Sequence, residues 1–181
     1  MAIFIVGGNK LAPATVLYWV MARFLILLVA SALVAACASY SGSGLQPGVA
    51  TEAQVREVMG APVQVLEGRD GTRRMVYPRG PLGTATYMAD LGADGRLLAI
   101  HQVLQDDVFY RIQPGMTEAD VLYTIGPPGQ TMGFPRTGNY AWDYRFVDTW
   151  GYVAIFSVTF SREGIVVSKI SQRIERDRGT R

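Results

Sequence analysis

Ile112-Gln113-Pro114-Gly115-Met116-Thr117-Glu118-Ala119-Asp120-Val121 occurs in this chain in two versions. The other lies about 67 residues earlier and reads Leu45-Gln46-Pro47-Gly48-Val49-Ala50-Thr51-Glu52-Ala53-Gln54-Val55, with Ala50 as a one-residue insertion. Both run on to a stop, Met59-Gly60-Ala61-Pro62 in the first copy and Ile125-Gly126-Pro127-Pro128 in the second. An internal period of this kind governs the fold and is read before any single element. Thr51 and Thr117 stand at helix N-caps, and Gln54 and Asp120, three residues on, complete capping boxes. Val55, Val58 and Met59 share one helical face, as do Val121, Leu122 and Ile125. Gly60 and Gly126 are expected as left-handed C′ residues, with the prolines ending each helix. Helices of two to three turns do not stand alone.

Sheets supply what they pack on. Tyr140, Trp142, Tyr144 and Phe146 alternate with Ala141, Asp143, Arg145 and Val147, a period-2 strand with one aromatic face. Residues 154–160 and 165–174 read as two more strands, joined by the turn Ser161-Arg162-Glu163-Gly164. In the first copy the strands fall near 72–77, 84–91 and 96–104, with a turn at 92–95. Residues 105–112 are expected as a further short helix, with Asp106 and Asp107 at its positive end. Strands joined by short turns, with helices grouped ahead of them, give an α+β fold. The expectation is two tandem repeats, 45–104 and 105–174, each with short helices on an antiparallel three-stranded sheet. Residues 175–181 form a charged tail.

Upstream, Met21-Ala22-Arg23 precedes the apolar run Phe24–Val34, then Ala35-Ala36-Cys37. Charge, apolar run and small residues make a secretory signal, which reads best from Met21. Its ending on the single cysteine resembles the lipobox of bacterial lipoproteins. That resemblance implies cleavage before Cys37, a diacylglyceryl group on the thiol, and acylation of the new amino group. One acyl chain anchors only marginally, whereas two or more hold stably. The leader is then 1–36, the mature chain starts at 37, and the small, Gly-rich stretch 37–44 is a flexible tether. An uncleaved transmembrane anchor is the competing reading, but it would bury Arg23 within the span, where a charge is costly.

Removing the leader takes Lys10 and Arg23 with it, so two of the 17 basic residues are lost and the remainder balance 15 acidic ones. A neutral body of about 145 residues gives no electrostatic reason to expect nucleic-acid binding. One Cys and one His exclude an internal disulfide and any cysteine- or histidine-rich metal site. No cofactor and no small-molecule substrate are expected.

The segment from Phe109 through Val121 to Ile125-Gly126-Pro127-Pro128, with Trp142-Asp143-Tyr144-Arg145-Phe146 and Val158-Thr159-Phe160-Ser161-Arg162-Glu163-Gly164-Ile165-Val166, resembles the BamE family, also called SmpA/OmlA. The likeness covers about residues 105–172 well and 45–104 as a degenerate copy. It implies a small outer-membrane lipoprotein facing the periplasm, not an enzyme, accessory to the machinery that folds and inserts β-barrel proteins. Its motif residues here are Gly115, Met116, Thr117 and Gly126, all with structural roles. The absence of Asp after Cys37, where Ala38 and Ser39 stand, implies sorting to the outer membrane. The duplication departs from the family, whose usual member has one copy. It also looks like secreted β-lactamase-inhibitor proteins, so a tethered inhibitor or sensor of a periplasmic enzyme is the alternative.

No catalytic constellation is visible. His101 lies in an apparent strand with no nucleophile or acid nominated beside it. Asp106-Asp107 lacks the ligand count of a calcium site and is read as helix capping. Gly126–Gly129 lacks the Lys and Ser/Thr of a phosphate loop. The candidate for partner binding is aromatic. Trp150-Gly151-Tyr152 sits in an apparent loop, with Phe134 in the same aromatic-rich stretch; exposed aromatics are typical anchors for protein partners or the membrane interface, and packing within the loop is the competing reading. Trp142 is read as core.

Overall fold

Two threonines fix where the longer helices begin. Gln54 N donates to Thr51 Oγ1 (3.4 Å), while Thr51 N donates to Gln54 Oε1 (2.9 Å). Asp120 N and Thr117 Oγ1 repeat this at 3.2 Å, and Thr117 N and Asp120 Oδ2 at 2.9 Å. Both expected capping boxes are therefore present. The computed structural model describes residues 41–68, 70–80 and 82–174. In chain order it contains α1 (Glu52–Met59), β1 (Gln64–Glu67), β2 (Arg73–Pro78), β3 (Thr86–Leu91) and β4 (Leu97–Gln102). The second half follows with α2 (Asp106–Phe109), α3 (Glu118–Ile125), β5 (Gln130–Phe134), β6 (Asn139–Val147), β7 (Val153–Phe160) and β8 (Val166–Arg173).

The strands form two antiparallel sheets, β1-β2-β3-β4 and β5-β6-β7-β8. The fold is α+β and built as two copies, but each sheet has four strands where the sequence predicts three. The added strands, β1 and β5, lie at sheet edges, and β5 is exposed along its whole length. With no buried face, neither imprints an alternating pattern on the sequence. The copies agree bond by bond. Gly48 N donates to Leu97 O (2.7 Å) as Gly115 N does to Val166 O (2.9 Å), and Leu97 N to Ala50 O as Val166 N to Met116 O, both 2.8 Å. Register irregularities fall at Asp90/Leu91 and at Thr159/Phe160.

Three expectations need correction. Gly60 and Gly126 have positive φ (84° and 80°), but ψ near −167° and −169° puts them outside the left-handed helical region. That extended, positive-φ conformation is essentially restricted to glycine, and it sends the chain straight from helix to edge strand. The helix expected over 105–112 shrinks to four residues. Lys169 explains where it stops: its Nζ donates to the carbonyls of Phe109 (3.1 Å), Tyr110 (3.3 Å) and Ile112, capturing the chain as it leaves the turn. Finally, residues 41–44 are not a free tether. Leu45 N donates to Gly42 O (3.1 Å), and Gly42 is buried where an added Cβ would collide with Ile100. The leader, Cys37, residues 38–40 and the tail 175–181 lie outside the described residues.

The copies share a core. One face of the first sheet (Met75, Tyr77, Ala89, Leu91, Leu97) packs on Val55 and Met59 of α1. Its other face contributes Val76 and Met88 to the cluster that holds Ile125 of α3 and the aromatic face of the second sheet. Within that cluster Phe109 stacks on Phe156 (4.0 Å) and meets Phe146 edge-on (4.8 Å), and Trp142 lies 4.6 Å from Phe160. The junction is made where the copies differ. Arg74, whose counterpart is Ala141, bonds Asp90 twice (2.6 and 2.9 Å), donates to Tyr123 O (2.6 Å) and lies 4.4 Å over the Tyr123 ring.

Gly126 is seated on the first sheet as well: a Cβ there would lie 3.2 Å from Val76 and from Met88, whereas one on Gly60 meets open space. Gly126→Ala and Gly60→Ala therefore incur the same backbone strain, about 1–3 kcal/mol, but only the former adds a clash. Urea denaturation should show the larger loss for Gly126→Ala. Equal losses would mean that the junction yields at no cost.

Buried phenols add a pH dependence. The Tyr77 hydroxyl is pushed up to about 12 by burial, and that of Tyr140 to about 12 by burial and by its 2.7 Å hydrogen bond to Glu118. Burial also raises Tyr144, which donates to Gly126 O at 3.0 Å. Folding thus favours the neutral phenols. Their contribution is complete below the ordinary tyrosine value of about 10 and is lost as pH climbs through the raised values. Stability should hold level to about pH 10 and then fall, and Tyr140→Phe should flatten that fall. A Tyr140→Phe profile identical to that of the parent would contradict the assignment.

Candidate partner-binding surface

The β6–β7 turn is organised by one carboxylate. Asp148 Oδ1 accepts from Trp150 N and Tyr152 N, each at 2.9 Å, and Oδ2 accepts from Arg173 Nε at 2.5 Å. Asp148 N donates to Tyr152 O (2.9 Å), Gly151 N to Asp148 O (2.9 Å), and Gly151 takes φ +81° as the tight turn requires. Burial alone would raise the Asp148 carboxyl, but the Tyr152 amide, the Arg173 guanidinium and the Trp150 amide together hold it below the usual carboxylate value. It stays charged and keeps the turn braced.

Around this brace the aromatics point outward. Trp150 is 77% exposed and Tyr152 58%, and the Arg173 guanidinium lies 4.7 Å over the Tyr152 ring. Thr149 N donates to Asp106 Oδ2 (3.3 Å), tying the turn to the start of α2. Asp106 thus holds a neighbouring loop, whereas the sequence suggests it as a helix cap; Gln105, at the cap position, makes no side-chain cap bond. Val147, paired with Val153, and Ile174, which donates to Val153 O at 3.0 Å, extend an apolar surface beside the turn. An exposed, rigidly held pair of aromatics limits the entropy lost when a partner orders it.

Phe134 does not belong to this surface. It pairs with Asn139 at the β5–β6 hairpin tip, 39% exposed beside Met132. The turn bearing Trp150 follows Val147, at the other end of β6. Eight residue steps at about 3.4 Å put the two ends roughly 27 Å apart. The sequence groups the three aromatics by proximity along the chain, and the strand between them separates them.

The other singled-out residues are structural or isolated. Gly115, at φ +94°, and Met116 tie the helix entry to β8 through Val166, and Thr117 caps α3. His101 is exposed on β4, its Nε2 3.8 Å from Asp90, whose carboxylate already holds Arg74. Asp148 and Arg173, which shape the surface, carry no signal that marks them from sequence: one looks like an ordinary loop aspartate, the other like an ordinary charged residue at the end of the last expected strand. Among the described residues no group of three or more His, Cys, Asp or Glu is placed to hold a metal ion, and no described helix is long and apolar enough to cross a membrane.

No family model matches the chain, and no curated protein matches it. Among solved structures it is similar to YjgB, a DUF4309 family protein from Bacillus subtilis subsp. subtilis str. 168, at 14% identity over 73% of this chain and 84% of that one, with a TM-score of 0.28. A likeness so slight carries no conclusion about this chain.

Proposed function

We propose that this chain is a lipid-anchored, periplasm-facing scaffold or accessory protein in outer-membrane β-barrel assembly or envelope maintenance, and that it acts by binding proteins, not by catalysis. The observation that carries the reading is the coincidence, in one sequence, of a lipobox ending at Cys37 with a duplicated unit resembling the BamE family. The braced turn supports it by offering Trp150 and Tyr152 as anchors for a protein partner. The lipid anchor keeps that turn near the membrane, which raises its effective concentration toward membrane-bound partners.

The test is a double variant. Trp150→Ala with Tyr152→Ala should weaken capture of barrel-assembly components from membranes while shifting stability by no more than about 0.5 kcal/mol, as for surface changes generally. Undiminished capture per folded molecule would remove the turn as the partner surface.

A further inference from the structure

Each sheet has a notch where its edge strand stops short, and in the second sheet it is longer. β5 pairs with β6 only as far as Gln130 opposite Asp143. The two residues before Gly129 are Pro127 and Pro128, which have no N–H to give a ladder. Beyond that point β6 continues alone on this side through Tyr144, Arg145, Phe146 and Val147. The direction of its backbone groups is fixed at both ends. Asp148 N donates to Tyr152 O, toward β7, and Asp143 O accepts from Gly129 N (3.0 Å), toward β5. Alternation along an antiparallel strand then turns the N–H and C=O of Arg145 and Val147 to the β5 side. There, among the described residues, no strand meets them.

In the first copy Val63 N donates to Val76 O (3.0 Å), as Gly129 N does to Asp143 O. The position equivalent to Arg145 is Pro78, whose ring removes the donor and blunts the edge. The edge is thus blunted in one repeat and keeps its donors in the other.

A cleft of about 390 Å³ lies at this notch, between the two copies, lined by Pro78, Leu104, Pro127, Pro128, Tyr144 and Arg145 among others. The Arg145 Nε is buried and, among the described residues, has no hydrogen-bond partner. Leaving a buried donor of a charged group unsatisfied is costly. The described lining holds no carboxylate to meet it. The next acid along the strand face, Asp143, already accepts from Ser157 Oγ (2.6 Å). Three features converge here: an open backbone edge, an apolar proline-rich wall, and an arginine whose Nε has no partner among the described residues.

We propose that this cleft captures the C-terminal end of an extended polypeptide. The incoming chain pairs with the Arg145 and Val147 backbone as an added strand, its last apolar side chain lies among Pro78, Leu104 and Pro127, and its terminal carboxylate accepts from Arg145. The open edge favours a peptide over a free small acid. The volume, near the lower end of the roughly 300–1,000 Å³ usual for ligand sites, favours a chain end over a strand passing through. The proposal rests on this geometry alone and is independent of the envelope reading.

The experiment uses the full chain in detergent and fluorescence anisotropy of an N-terminally labelled Ala-Gln-Val-Thr-Leu peptide, as free acid and as C-terminal amide. The free acid is expected to bind at least tenfold more tightly than the amide. Arg145→Gln should abolish that difference. Pro128→Val, which restores an N–H and lets β5 extend over the notch, should weaken the free acid at least tenfold with the circular dichroism spectrum unchanged. Equal binding of acid and amide, no binding of either, or displacement of the peptide by an equal concentration of hexanoate would each overturn the proposal.

Discussion

Replacing Trp142 by alanine is expected to cost about 3–5 kcal/mol, the usual range for truncating a buried aromatic. Trp142 is 9% exposed, lies mid-strand on β6, and meets Phe160 at 4.6 Å in the core that both copies share. A loss of that size is a large part of the roughly 5–15 kcal/mol that separates folded from unfolded chains. The cavity would open beneath α3, whose Val121 and Ile125 belong to the same cluster, so the damage should spread from the second sheet to the junction. Thermal and urea melts would measure it. A loss below about 1 kcal/mol would mean that the aromatic face does not anchor the core.

Replacing Cys37 by serine is expected to abolish both lipidation and membrane retention. Cys37 ends the run of Arg23, apolar residues and small residues, and serine cannot receive the thioether-linked lipid. The predicted effect is near total, because the remaining leader residues offer no second covalent anchor; stable attachment needs more than one acyl chain. Incorporation of labelled fatty acid, followed by membrane fractionation, reads both outcomes. Full label in Cys37→Ser would exclude this site. A variant retained in membranes without label would favour the uncleaved anchor.

The duplicated cap, glycine and proline positions made the layout of two α+β units legible from sequence, because each carries its own chemistry: a hydroxyl to cap, a missing Cβ, a missing N–H. The core strands were legible because burial on one face imposes a period of two, as on Tyr140 to Phe146. What stayed hidden is what has no period. Edge strands β1 and β5 bury no full face. The junction depends on Arg74 reaching Tyr123 across 49 positions, a contact that no local pattern encodes. The loop context of Trp150 and Tyr152 leaves exposure and packing within the loop both open, and the carboxylate that braces them carries no sequence signal. Phe134 lies apart from Trp150 and Tyr152 because nearness along the chain is lost when a nine-residue strand intervenes.

The proposed scaffold role is tested most directly by affinity purification of the chain, expressed with its leader, from solubilised membranes, with Trp150→Ala/Tyr152→Ala as the matched control. Co-purification of β-barrel assembly components, reduced in the double variant, is the expected result. Recovery of a single soluble periplasmic enzyme in their place, equally with parent and variant, would contradict it.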